Sequence, residues 1–216
     1  MLDFQADSAL HNEFVMQTRP SLRQGALIKR GFDIFVTAVL MPILVAVILF
    51  LLVLNPIFNR GNLLFWQRRM GQHCKPFWAV KFRTMRAANG PGRGAFDRLE
   101  HDRITGLGHI LRKTRIDELP QIVNVLLGDM SLIGPRPDCY NHARVYLRDV
   151  PGYRARHAVL PGISGLAQTE IGYVDGLEGV RRKVMTDLDY IARQGLQLDL
   201  WITWRTICVV LGRCGA

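Results

Sequence analysis

Apolar and polar positions divide the chain into two unlike parts. From Ile34 to Leu54 the sequence reads IFVTAVLMPILVAVILFLLVL, 21 residues without a charge. As a helix this stretch extends roughly 32 Å at 1.5 Å per residue, enough to cross a hydrocarbon core. A soluble core helix of that length carries a polar stripe, and this one has none. A signal peptide is excluded by the late start, the length of the run and the missing small-residue cleavage site. The pattern predicts a membrane-inserted helix over residues 29–58. Pro42 lies inside it, where proline removes a backbone hydrogen bond and crowds the preceding turn. Lys29 and Arg30 stand before the run, and Arg60, Arg68, Arg69 and Lys75 after it. A simple span gathers its basic residues on the cytoplasmic side. Basic residues on both flanks, with Pro42 as the helix break, predict a re-entrant segment that enters one leaflet and returns. An ordinary kinked span is the alternative.

The remaining pattern belongs to a globular domain, residues 59–216, with a loose tail over 1–28. Between Gly61 and Arg86, NLLFWQ and PFWAVKF read as short strands broken by Gly71 and Pro76. Ala87–Gly94 is a loop. Thr105–Leu111, Ile116–Leu127, the stretch from Pro137 to Asp149 and the stretch from Leu177 to Gly195 read as helices. Within Ile116–Leu127, Pro120 fixes the first turn, Thr114 or Asp117 caps it, and Gly128 ends it. Near the C-terminus, Leu200, Trp201, Trp204, Ile207, Cys208 and Leu211 recur at helical spacing behind a candidate cap, Asp199. With Arg205 and Arg213 nearby, this helix suits either a membrane interface or a core-facing position.

Charge changes the picture. The formal net charge is +10, with a pI near 10.0 and a mean hydropathy of +0.09. The first two point to an anionic partner: nucleic acid, a membrane surface or a phosphorylated substrate. Cys74, Cys139, Cys208 and Cys214 form no CxxC pair and have no zinc spacing, which fits a reducing compartment.

Candidate chemistry concentrates in 102-DRITGLGHILRKTRIDELPQIVNVLLGDMSLIGPRP-137. Asp117 and Glu118 fall at a helix start, where negative charge is favoured by about 0.3–1 kcal/mol. Arg112, Lys113 and Arg115 precede them, and Arg136 sits in a proline-flanked turn. Two carboxylates among several cations suit a metal-bound phosphorylated substrate. Arginine binds phosphate bidentately, and Mg²⁺ takes one or two carboxylates plus phosphate oxygens. A carboxylate also serves as a nucleophile toward phosphorus. Lys81 and Arg83 in KFRTMR form a second basic cluster. PGISGLAQ (161–168) is a glycine-punctuated turn where backbone approaches a ligand closely. No histidine triad marks a hydrolase.

These pieces resemble a known family, the bacterial sugar transferases of the monotopic phosphoglycosyl transferase type. The resemblance rests on KRGFDI (29–34), the Pro-broken apolar segment, KFRTM (81–85), LRKTRIDELPQIVNVLLGDMSLIGPRP (111–137), PGISGLAQ (161–168), DLDYI (187–191) and LDLWI (198–202). It implies an α/β, mainly helical fold: a small cytosolic domain on a re-entrant membrane helix, with amphipathic helices at the interface of the bacterial inner membrane. It implies transfer of a sugar-1-phosphate from a UDP-sugar to undecaprenyl phosphate, with UMP released, at the first membrane step of exopolysaccharide or related surface glycan synthesis. Downstream glycosyltransferases would take the product. Asp117 is implied as nucleophile and Glu118 as ligand to Mg²⁺. Arg112 and Arg136 are implied as phosphate-binding, with Lys81, Arg83, Gln121, Pro137 and Asp187 as further substrate-binding residues. Without extra N-terminal spans, the chain resembles the small, catalytic-domain-only form. It departs from common family features at Cys74, Arg115 and GLAQTEIGY. The competing expectation is a membrane-tethered basic protein that binds anions or nucleic acid without catalysis. It leaves the acidic pair unexplained, and no nucleic-acid-binding signature accompanies it.

Overall fold

The computed structural model describes residues 21–59, 61–87, 94–97, 100–172, 176–210 and 212. Most of the expected N-terminal tail, residues 88–93 of the expected loop, and Arg60, Leu211, Arg213 and Cys214 lie outside the described residues.

Helix α1, Ser21–Phe58, contains Pro42 and Pro56. It begins eight residues before the expected boundary at Lys29. Helical structure also continues through Pro42, so the expected break leaves no gap in the helix. One proline deletes one N–H, and about four turns or more on either side carry the helix across. The buried positions Asp33, Thr37, Leu44, Leu51 and Asn55 are spaced by four, seven, seven and four, which places them on one face. The opposite face exposes Phe35, Val39, Leu49, Phe50 and Val53.

Both ends of α1 are tied to one body. Lys29 Nζ meets Asp199 Oδ2 at 2.5 Å, and Arg30 Nη1 donates to the Val125 carbonyl at 2.6 Å. The Leu132 N–H donates to Asp33 Oδ1 at 3.1 Å. At the other end Asn55 Nδ2 donates to the Gly61 carbonyl (2.8 Å) and Asn59 Nδ2 to the Arg83 carbonyl (2.6 Å). Between them, Leu44 and Leu51 share a core with Phe82, Leu111 and Ile122.

The two expected short strands, β1 (Leu64–Met70) and β2 (Pro76–Phe82), pair as an antiparallel hairpin, in register from Leu64↔Phe82 to Met70↔Pro76. Helix α2, Gly106–Lys113, is capped by Thr105, whose side chain accepts from the Gly108 N–H. The single helix expected over Ile116–Leu127 is instead two pieces, a 3-10 helix Ile116–Gln121 and α3, Ile122–Leu127. Neither Thr114 nor Asp117 caps it. Thr114 closes α2, and Arg115, in the left-handed region (φ 58°), turns the chain. Pro120 suits the tighter coil because its missing N–H is dispensable in so short a piece. Gly128 (φ 88°) ends α3 as expected.

Beyond it come β3 (Ser131–Ile133), α4 (Tyr140–Asp149), β4 (Gly162–Ser164), α5 (Leu166–Glu170), α6 (Gly176–Ala192) and α7 (Leu196–Val210). Strands β3 and β4 pair in parallel, with Ser131↔Gly162 and Ile133↔Ser164. One core packs Met70 against Ala143, Tyr146, Tyr153 and Val184; another joins Ile133, Leu166, Tyr190 and Ile202. Asp199 does not act as the expected cap. It is buried in the first turn of α7 and joins Lys29 to the Tyr190 hydroxyl (2.7 Å). Of the expected apolar stripe on α7, Leu200, Trp201, Trp204 and Ile207 are exposed and Cys208 is buried.

Candidate active site

The 3-10 helix sets Asp117 and Glu118 against β2, and both are buried. Glu118 is enclosed by cations. Lys81 Nζ donates to Oε1 at 2.9 Å and Arg136 Nη1 to Oε2 at 2.9 Å, while Arg136 Nη2 also reaches Oε1. Burial opposes ionisation of Glu118, but Arg136 and Lys81 outweigh it and hold its pKa well below the usual carboxylate value. Asp117 differs. Among the described residues its carboxylate accepts no hydrogen bond. Burial, then the neighbouring Glu118, raises its pKa, while Lys81, Arg112 and Arg136 pull it down. Burial also lowers the Lys81 pKa to about 7, against the pull of Glu118. The result is one fixed carboxylate in a cationic grip beside one uncommitted carboxylate, which suits an Asp117 that acts and a Glu118 that arranges.

Arg136 is placed by the glycine-rich turn. Its Nη1 donates to the Ile163 carbonyl (3.2 Å). The Gly162 N–H donates to the Pro135 carbonyl (3.1 Å) and the Gly134 N–H to the Ser164 carbonyl (2.9 Å). A Cβ on Gly162 would stand 2.1 Å from the Gly134 nitrogen. A close backbone approach at PGISGLAQ is thus made to the GPRP segment.

The other expected site residues divide. Arg112 Nε donates to Thr84 Oγ1 (2.9 Å), and its charge is felt at Asp117. Gln121 is buried next to the pair, with its Nε2 lacking a partner. Pro137 lends its carbonyl to Arg69 Nη1. Arg83 stands apart, past the end of β2, with its guanidinium against Gly61. Asp187 is also apart. It is buried and bound to Arg156, whose Nε donates to Oδ2 at 2.8 Å. Arg156 in turn donates to Asp138 (2.7 Å) and to the Arg136 carbonyl (2.8 Å), so Asp187 braces the Arg136 loop from behind. Lys183 and Tyr153 complete the shell of Asp138 at 2.6 and 2.8 Å.

Arg69 and Arg156 were missed in sequence. Arg69 faces Glu118 and Arg136 electrostatically, and burial lowers its pKa to about 10. In sequence it was one of several basic residues flanking the apolar run; its place one rung from β2 was the only available signal.

No three His, Cys, Asp or Glu side chains among the described residues form a group able to hold a metal. That donor set fits Mg²⁺ only in its substrate-assisted form, with diphosphate and water oxygens completing the shell. Glu118 would join such a shell by giving up part of its contact with Lys81 or Arg136.

The family described as bacterial sugar transferase matches residues 24–213. Over 88% of its length the chain is 41% identical to a UDP-N-acetylgalactosamine-undecaprenyl-phosphate N-acetylgalactosaminephosphotransferase of Aeromonas hydrophila, of which it covers 45%. It is 37% identical to the exopolysaccharide production protein PSS of Rhizobium leguminosarum bv. phaseoli, covering 87% of this chain and 96% of that protein. It is 39% identical to a UDP-glucose:undecaprenyl-phosphate glucose-1-phosphate transferase of Caulobacter vibrioides, covering 83% and 68%. The chain thus spans less than half of the Aeromonas relative and nearly all of the Rhizobium one.

Proposed function

The chain belongs to the bacterial sugar transferase family, and from that premise we propose that it transfers a sugar-1-phosphate from a UDP-sugar to undecaprenyl phosphate with release of UMP. The observation that carries this reading is the contrast within the acidic pair: Glu118 is saturated by Lys81 and Arg136, and Asp117 is buried with no hydrogen bond to its carboxylate among the described residues.

An Asp117 oxygen attacks the phosphorus that bears the sugar. The bond from that phosphorus to the bridging oxygen breaks, and UMP departs with the electron pair. A phosphate oxygen of undecaprenyl phosphate then attacks the same phosphorus, and the Asp117 carboxylate is restored. Phosphoryl transfer of this kind depends on positioning and charge neutralisation. In this reading Arg112 and Arg136 hold phosphate oxygens. Glu118 keeps Lys81 and Arg136 aimed at the site. Mg²⁺, when bound through the acidic pair and the diphosphate, supplies further neutralisation of phosphate charge.

The same proposal places α1 in the bacterial inner membrane as a re-entrant helix, with the domain on the cytosolic face. Its two ends bond to one globular body, which supports a re-entrant path over a straight span through about 30 Å of hydrocarbon. The setting is exopolysaccharide or related surface glycan assembly, with later glycosyltransferases acting on the lipid-linked product.

The test is UMP release by the purified protein with Mg²⁺, undecaprenyl phosphate and a panel of UDP-sugars. Release is expected from one sugar, dependent on the lipid, and reduced about 10³-fold or more by Asp117→Asn. Donor labelled at the sugar-bearing phosphate should leave label on the protein when lipid is omitted. Lipid-independent release would indicate hydrolysis and overturn the transferase reading. Turnover without a labelled protein would remove Asp117 as nucleophile.

A further inference from the structure

The β1–β2 hairpin has a second face that the site does not use. Directly paired residues share a face of a ribbon, and successive residues alternate. Arg69 and Lys81 therefore lie on one face, the one that meets Glu118. Leu64, Trp66 and Arg68 lie on the other, with their partners Phe82, Val80 and Trp78. At the Leu64–Phe82 rung this second face joins the core that holds Leu44 and Leu51 of α1. Farther along, it leaves Trp66 56% and Trp78 58% exposed.

The chain has four tryptophans. The other two, Trp201 and Trp204 on α7, are 42% and 63% exposed. A water-soluble domain buries most of its indole area, whereas indole is favoured at the headgroup level of a bilayer. Hydrogen bonds link the hairpin to α1 through α3. Asn124 of α3 bonds both the Val80 N–H (3.2 Å) and the Trp78 carbonyl (2.8 Å). Two residues on, Leu126 and Leu127 are exposed, and Arg30 of α1 bonds the Val125 and Leu126 carbonyls. Arg68, exposed on the tryptophan face and stacked over the Tyr140 ring at 4.4 Å, adds a cation suited to anionic headgroups.

We propose that the hairpin face bearing Trp66 and Trp78 docks in the headgroup layer of an anionic phospholipid bilayer beside α1, as an anchor distinct from α1 and α7. Its reverse carries Lys81 and Arg69, so the depth of docking fixes the height of the acidic pair above the lipid. The proposal stands independently of the catalytic reading.

The test uses the full chain in vesicles of phosphatidylethanolamine and phosphatidylglycerol whose acyl chains are brominated near the glycerol. In Trp201→Phe/Trp204→Phe, only the hairpin tryptophans emit. Most of their emission should be lost relative to unbrominated vesicles, and acrylamide in the water should quench little of it. Emission that bromine leaves unchanged overturns the proposal, whether acrylamide reaches the indoles or a second copy of the chain covers them. Trp66→Phe/Trp78→Phe gives the converse check: the bromine-quenched share of the emission should shrink relative to the unaltered protein, and an unquenched share that disappears in this variant would overturn the proposal.

Discussion

Lys81 is kept beside Glu118 at a depth where burial alone would strip its proton. With a pKa of about 7, it is largely neutral at pH 8 before a nucleotide arrives. An anionic diphosphate nearby stabilises the ammonium and raises that pKa, so nucleotide binding at pH 8 should take up protons. Calorimetry of UDP binding in buffers of differing ionisation enthalpy should show that uptake, and Lys81→Met should abolish it. A binding heat independent of buffer would contradict the assignment. At this scale the sequence was legible where partners are close along the chain: Asp117, Glu118 and Arg136 stand within one dense motif. Arg156 was not legible, because its partners Arg136, Asp138 and Asp187 lie 18 to 31 residues away and meet only through the fold. The ion pair of Asp187 with Arg156 was hidden for the same reason.

Among the elements, the parallel pairing of β3 with β4 has the least room to spare. A methyl group at Gly162 would collide with backbone at the Gly134 nitrogen, which no rotamer change can relieve. Gly162→Ala is expected to cost about 2–4 kcal/mol and to displace Arg136. Gly106→Ala, which meets nothing within 4 Å at the start of α2, should stay within about 1 kcal/mol of the parent. Thermal unfolding of both variants, read beside UMP release, checks the pair. Equal melting temperatures would contradict this packing. The strands β1 and β2 and the helices α2, α4 and α6 were legible from periodicity and turn residues; the pairing of the strands was not. The 3-10 helix was not, because Ile116, Leu119, Ile122 and Val123 satisfy either coil, and the left-handed turn at Arg115 leaves no mark in composition.

For the whole molecule, α1 is bonded into the domain at both ends. Cysteines introduced at Ala26 and Asn62 in a chain lacking its native ones should both react with an impermeant maleimide from the cytosolic side. Labelling from opposite sides would establish a span and overturn the re-entrant proposal. The apolar run made the helix legible. Its polar stripe was hidden, because Asp33, Thr37 and Asn55 gain meaning only from what they touch.

The bond between Lys29 and Asp199 joins residues 170 apart in sequence. At about 5–20 residues per second of synthesis, Lys29 leaves the ribosome roughly 10–30 s before its partner exists. Asp33 waits for the Leu132 N–H in the same way. On the proposed membrane placement, a helix inserted during synthesis enters the lipid while its ionic end is still unmatched, and water and headgroups serve it in the interval. Biogenesis on that placement runs with insertion first and closure of the domain onto both helix ends afterwards. A stalled chain that stops before Asp199 should be inserted yet remain open to protease.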